Sequence, residues 1–371
     1  MRGSARDGEQ LTGRFPRMKV LYVGPLWVGG TCRQRQEALV DLGQDVVALD
    51  TYPYLYSGNR LAVALRSRTE WGGRIGRLNA HFVELVWSAR PTVVFVDHVP
   101  FLRRESLVAA RRVGRAVFVH RNNDDPFAAG ALRWRVFKAA IAYYDLHFVP
   151  RDENLVEYER LGAPLVRRMY PSFNLRVHRP VVVDRETRER LGGDVGFIGA
   201  WECEREKTIR FLGESGVGVR IWGPNWGGRL GGLRDVQVEG RSLFGEEYVR
   251  AVCSFSICLG FLRKVNRDAS TSRSVEIPAC GTLLVAERTP EHEALFVEGL
   301  EAEFFGSSEE LLEKLRRYLG DADARRRVAA AGRDRCLNSG YDNVSRMGEM
   351  LAEAVNLAES MGVALEGRRL Q

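Results

Sequence analysis

Residues 259–286, LGFLRKVNRDASTSRSVEIPACGTLLVA, constrain the fold more than any other stretch of the chain. An apolar run ending at Phe261 reads as a buried strand and a basic polar loop follows it. Ser/Thr punctuation then opens a short helix, and Cys280-Gly281 closes it before a second apolar strand. Strand, loop, helix and strand in this order build an open α/β sheet, where such a loop lies at the carboxyl ends of the strands and faces the ligand. The helix presents its free N–H groups, near Ser272 and Ser274, to the same edge. Arg263, Lys264, Arg267 and Arg273 add positive charge there, which favours a diphosphate over a carboxylate. Glu276, one turn into the helix, is repelled by an anion unless it meets a neutral part of the ligand, such as the two hydroxyls of a ribose. The stretch points to a nucleotide.

The rest of the chain is long enough to give that unit a partner. At 371 residues, 45% hydrophobic and 28% charged, it buries a sizeable core, and the length favours two domains. No apolar run approaches the ~20 residues that span a bilayer, and the N-terminus lacks the apolar core of a secretory signal, so a cytoplasmic location is expected. The six cysteines show no C-x-x-C spacing and sit mostly among apolar residues, which suits reduced core thiols better than zinc or disulfides. Of the net charge of +7, the first 180 residues hold 28 Lys+Arg against 17 Asp+Glu, and the remainder 27 against 31. A basic half suits nucleic acid, an anionic membrane or an acidic acceptor. No helix-turn-helix, zinc-finger or RNA-binding signature accompanies the scattered basic residues, so nucleic acid is not expected.

Residues 1–17 lack periodicity and read as a disordered leader, with Met18 as the functional start. MKVLYVG is the first strand; Gly24-Pro25 and Gly29-Gly30 follow, then a helix over about 31–42 and a second strand, DVVALD. Without a G-x-G-x-x-G the Gly29-Gly30 turn is either a phosphate approach or a plain tight turn. A long helical region over about 59–89 leads to PTVVFVDHVPF, whose polar end falls at Asp97-His98. Another helix precedes AVFVHRNNDDPF, whose polar end falls at His120 through Asp125, so two strands deliver His and Asp to one sheet edge. Asp124-Asp125 is a metal pair, a helix N-cap before Pro126 or an acceptor-hydroxyl contact, and the adjacent spacing argues against metal. Arg133, Trp134, Arg135, Phe137 and Lys138 form either a membrane-facing patch or a sheet-covering helix with a solvated face, the second being the simpler reading. The proline-bearing segment 171–193 reads as a linker between a domain over 18–170 and one over 194–341 that starts at DVGFIGA. Arg205 and Lys207 follow that strand as diphosphate ligands or as surface charge. Helices rich in Glu, Arg and Ala fill about 308–335 with Asp321 as a cap, and residues 342–371 hold a last helix crossing back to the first domain.

These residues carry a resemblance. RSVEIPACG, with Asp268 eight positions before Glu276, resembles the donor-site motif of GT-B glycosyltransferases that contain Glu-x7-Glu. The nearest match is the CgeB-like group, named for a spore-maturation protein, with a C-terminal donor domain of the glycosyl transferase group 1 type. HRNNDDPF, VHRP, GFIGAWECERE, IWGPNW and RTPEHEALF recur in that order, so the resemblance spans about 18–351. It implies two facing Rossmann-like doubly wound domains with a crevice between them. The C-domain is expected to hold a nucleotide-diphosphate sugar, with Glu276 on the ribose diol and Arg263, Lys264, Arg205, Lys207 and the helix end at Ser272 on the diphosphate. Asp268, one methylene shorter than the family's first Glu, would hold sugar hydroxyls, and His120 matches the His that touches the transferred sugar better than His98 does. The Gly29-Gly30 loop approaches donor phosphate or acceptor in such enzymes. The resemblance further implies retention of configuration with neither metal nor strong base; an inverting enzyme needs a base, for which His98, His120 and Asp125 are available. The acceptor it implies is a bacterial glycan, with lipid-linked and protein acceptors open and a peripheral contact with the inner face of the membrane compatible. A non-hydrolysing nucleotide-sugar epimerase is disfavoured because its motifs differ from RSVEIPACG; a non-catalytic partner protein that binds a nucleotide-sugar or glycan is separated by donor turnover.

Overall fold

The computed structural model describes residues 15–128 and 134–365. The chain divides into two units. The first comprises the described residues up to Tyr170, Val265–Arg267 and the described residues from Asn343; the second comprises Pro171–Lys264 and Asp268–Asp342.

Each unit is built on one six-stranded parallel sheet. In the first, β1 (Lys19–Gly24), β2 (Asp45–Asp50), β3 (Val93–Asp97), β4 (Val117–Arg121), β5 (Leu146–Val149) and β6 (Val166–Arg168) are ordered β2-β1-β3-β4-β5-β6. In the second, β7 (Gly193–Ile198), β8 (Val219–Trp222), β9 (Val236–Val238), β10 (Phe255–Gly260), β11 (Leu283–Glu287) and β12 (Glu303–Phe305) are ordered β12-β11-β10-β7-β8-β9. The order reverses beside β1 in one sheet and beside β7 in the other, and an open sheet binds ligands outside the strand ends at such a reversal.

The inner strands, such as β1 and β3, are near-continuous apolar runs because both their faces are buried. Alternate residues sort into different cores: Leu21 and Val23 pack with Val94 and Val96, whereas Val20 and Tyr22 pack with Val93 and Phe95. In the second unit Ile257 and Leu259 join Val195 and Phe197 on one face, and Cys258 joins Leu284 and Ala286 on the other.

The structure departs from the sequence reading in three places. The helical region over 59–89 is two helices, Arg60–Thr69 and Gly73–Ala89. Glu70 takes a left-handed φ of 55° between them, and its buried carboxylate accepts a hydrogen bond from the Val136 N–H at 2.8 Å. Segment 171–193 carries a helix, Arg185–Leu191, and plants Phe173 and Leu191 in the second unit's core. Asp125 does not cap a helix, because residues 126–127 form a turn. Of the leader read over residues 1–17, residues 1–14 lie outside the described residues, as does Arg133, and Phe15 packs against the first unit's core. The last helix, Asn343–Ser360, packs Met347, Leu351 and Ala354 against the first unit's core. Among the described residues no helix is long and apolar enough to cross a membrane.

Candidate functional site

In the second unit the ends of β7, β8 and β10 enclose a cavity of about 470 Å³. Its wall is Gly199, Trp201 and Glu202 after β7, Gly223 and Asn225 after β8, Arg263 after β10, and Thr271 and Arg273 at the start of the helix Arg273–Ala279. The β7 and β8 ends approach closely: the Gly199 N–H donates to Trp222 O at 2.8 Å, and Trp226 Nε1 donates to Gly199 O at 2.9 Å. A Cβ on Gly223 would lie 1.9 Å from Gly199 O, so only glycine fits there.

The charges lining this cavity are three guanidinium groups, Arg205, Arg263 and Arg273, and one carboxylate, Glu202, a surplus of two positive charges. Arg205 is 5% exposed; its Nη1 donates to Ala200 O at 2.8 Å, and its Nε is buried with no partner. Burial lowers its pKa and Glu202 opposes that, but a guanidinium remains charged. Arg273 Nε is likewise buried and unpaired, while Arg263 Nε meets Glu202 Oε1 at 3.3 Å. Three guanidinium groups against one carboxylate give this wall a positive potential of the sign that suits an anion.

Glu276 is not on the cavity wall. It is 7% exposed, its Oε2 accepts the Tyr248 hydroxyl at 2.9 Å, and its Oε1 lies 3.8 Å from His178 Nε2. Burial lowers the His178 pKa, with Glu276 acting in the opposite sense. Ser272 makes no side-chain cap bond, and its carbonyl accepts the Glu276 N–H at 2.9 Å. Ser274 is buried, paired with His292 Nε2 at 2.7 Å, and accepts the Thr271 N–H at 3.1 Å. The Asp268 N–H donates to Arg263 O at 3.2 Å.

Several basic residues of the sequence reading are engaged elsewhere. Lys207 is exposed and paired with Glu204 at 2.8 Å. Lys264 pairs with Glu287 and borders a separate cavity of about 270 Å³. Arg267, grouped with the first unit, pairs with Asp125 and also with Glu157 at 2.8 Å.

In the first unit the order reversal beside β1 forms a cavity of about 390 Å³ lined by Pro25, Trp27, Thr31, Tyr52, Tyr56 and His98, among others. Gly29, at φ 84°, and Gly30 lie in the loop between Trp27 and Thr31 and do not line the cavity; a Cβ on Gly30 would meet the Trp27 ring at 2.8 Å. His98 follows β3 with a left-handed φ of 58°, its N–H donating to Arg121 O at 2.9 Å. That conformation is strained for a residue with a Cβ and turns the half-buried ring to the cavity, Nδ1 lying 3.0 Å from Asn122 Oδ1 and Nε2 3.9 Å from Asp124 Oδ2.

His120 and Asp125 sit differently from the sequence reading. His120 lies inside β4, 1% exposed, packed on Phe137, Tyr144 and His147, with its Nδ1 3.2 Å from His147 Nδ1. Burial and His147 hold it neutral, well below the usual imidazole range. The Asp125 side chain is fully buried; its Oδ1 accepts the Phe127 N–H at 2.9 Å and Asn154 Nδ2 at 3.1 Å. Burial pushes its pKa up, but Arg267 and these bonds outweigh that and hold it below the usual value. Asp97 is also turned inward, held by Arg35 at 2.6 Å and Arg121 at 3.1 Å. The Tyr248–Glu276–His178 group and this Arg–Asp–Arg group escaped the sequence reading; the VHRP run containing His178 was the one available signal for the first.

Residues 205–352 match the family described as "Glycosyl transferase-like". Among curated proteins none matches the chain. Solved structures share the fold at low identity. Sucrose-phosphate synthase from Thermosynechococcus elongatus is 15% identical with a TM-score of 0.62, covering 93% of this chain and 100% of its own. Anabaena HepE in complex with UDP-glucose is 15% identical with a TM-score of 0.58, covering 92% and 100%. A trehalose-phosphate synthase (UDP-forming) from Burkholderia vietnamiensis is 12% identical with a TM-score of 0.65, covering 94% and 100%. Two parallel α/β sheets shared with these neighbours give the chain the GT-B fold, and the match to the glycosyl transferase-like family takes in Arg205, Arg273 and Glu276.

Proposed function

We propose that the enzyme moves a sugar from a nucleoside-diphosphate sugar to a glycan acceptor, binding the donor diphosphate in the 470 Å³ cavity of the second unit. The observation that carries this reading is the wall of three guanidinium groups, Arg205, Arg263 and Arg273, against one carboxylate at the ends of β7, β8 and β10. As the glycosidic bond lengthens, negative charge grows on the leaving diphosphate, and fixed guanidinium groups stabilise that charge more than the ground state. They supply the neutralisation a divalent cation otherwise brings, so the reaction is proposed to be metal-independent. Glu276 accepts the ribose hydroxyls through the carboxylate oxygen Tyr248 leaves free, and Asp268 holds sugar hydroxyls. The first unit's aromatic cavity takes the acceptor, with His98 as the imidazole that meets it. The resemblance to CgeB-like proteins supports retention of configuration and a surface or spore polysaccharide as the product class.

The test is a thermal-shift panel of UDP, GDP, dTDP, CDP and CMP on the wild type and Arg205→Gln, followed by donor turnover with the sugar nucleotide of the stabilising base. A ligand at ~100 times its dissociation constant adds about 2.7 kcal/mol to the native state. One nucleoside diphosphate is expected to stabilise the wild type and lose most of that effect in the variant. Indifference of the wild type to every nucleotide would sink the proposal.

A further inference from the structure

The basic aromatic segment at 134–138 does not face outward: Trp134 and Phe137 are 4% and 1% exposed, and Lys138 lies over the Phe127 ring. The uncovered apolar surface of the first unit lies about seventy residues earlier. Along the helix Arg60–Thr69, Leu61, Ala64, Leu65 and Arg68 follow the spacing of one helix face, and that face points to solvent. Leu61 is 83% exposed and Leu65 63%, and no described side chain of the helix is buried. Trp71, immediately beyond, is 66% exposed with the Arg103 guanidinium 4.0 Å above its ring. A helix normally turns its leucines to the core, so an outward pair beside an outward tryptophan marks a surface that meets something.

The charge around it says what. Residues 61–80 contain Arg66, Arg68, Arg74 and Arg77 and one acidic residue, Glu70. Glu70 is 3% exposed and bonded to the Val136 N–H, so no carboxylate of this segment reaches the surface. A second copy of the chain packed two-fold on this face would set arginines against their own copies, whereas lipid phosphates complement them.

We propose that this face docks on an anionic lipid bilayer, with Leu61, Leu65 and Trp71 in the boundary between headgroups and acyl chains and the exposed Arg68 and Arg77 on lipid phosphates, Arg66 and Arg74 being engaged by the carbonyls of residues 53–57. The experiment is co-sedimentation of the full chain with phosphatidylcholine vesicles, with and without phosphatidylglycerol, at low and high salt. The wild type is expected to pellet with the anionic vesicles and to bind about tenfold more weakly to neutral ones or in high salt. The double variant Leu61→Asp/Leu65→Asp is expected to lose about tenfold or more while keeping the wild-type melting curve and nucleotide response, since neither side chain supports the core. A wild type that stays in the supernatant with anionic vesicles, or a double variant that pellets as well as the wild type, overturns the proposal. So does a dimer in sedimentation velocity that the double variant abolishes, because the face is then a contact between copies.

Discussion

Tyr248 donates its hydroxyl to Glu276 Oε2 across 2.9 Å, tying the helix Gly245–Ser254 to the helix Arg273–Ala279. Both groups are buried. Tyr248→Phe is expected to lower stability by about 1.5–3 kcal/mol in urea unfolding, the range for a hydrogen bond to a charged group. Because Tyr248 supports Glu276 and does not meet ligand in the proposed site, nucleotide affinity should change less than about threefold in Tyr248→Phe and fall about tenfold or more in Glu276→Gln. Equal losses in titration calorimetry would mean that both act through the fold alone.

Arg205 and Lys207 are two residues apart on the helix Cys203–Glu214 but meet different surroundings, one in the cavity wall and the other in solvent. Arg205→Gln should weaken nucleoside-diphosphate binding by roughly 1.5–3 kcal/mol and nucleoside-monophosphate binding less, while Lys207→Gln changes neither. Titration of both variants with both ligands checks this.

Gly223→Ala places a methyl carbon against Gly199 O, where a Cβ lies at 1.9 Å. The β7 and β8 ends must part to accept it, so the variant is expected to lose more than about 2 kcal/mol of stability and its nucleotide response together. A melting temperature equal to the wild type's would show that the ends yield easily.

Stability should fall in mild acid. His147 is buried and its pKa is lowered to about 4 by burial, with the bond to Ile141 O opposing, and burial holds His120, His178 and His292 below the ordinary value too. The unfolded chain takes up these protons near pH ~6.5 and the folded chain only at lower pH, so the stabilisation is full above ~6.5 and declines as pH falls toward the folded values. His147 alone contributes on the order of 3 kcal/mol over that window. Urea unfolding at pH 7 and pH 5 should show the loss, and a His147→Leu variant a smaller one; a pH-independent midpoint contradicts it.

The inner strands were legible because burial on both faces makes them nearly unbroken apolar runs, as at β1 and β3, and Asp321 was legible as a cap because its carboxylate takes the Ala324 N–H at 2.8 Å. The site was legible to the loop but not to the side chain. Residues two apart on a helix point about 200° apart, so helix phase separates Arg205 from Lys207, and the sequence does not mark that phase. Parity acts the same way in β4, where His120 faces one core and its neighbours the other side. Asp125 meets Arg267 across 142 residues of sequence, a pairing no local pattern announces.

The helix Asn343–Ser360 lays Met347, Met350, Leu351 and Ala354 on the core that includes Val20, Tyr22 and Phe95, so part of the first sheet's cover comes from residues that follow the whole second unit in the chain. About 170 residues separate Tyr170 from Asn343, which at ~5–20 residues per second is roughly 10–35 s of synthesis. During that interval the helix Thr31–Asp41 covers this sheet face without its later neighbour. The first unit is thus completed only after the second has been synthesised, so its folding is the last step to close rather than the first.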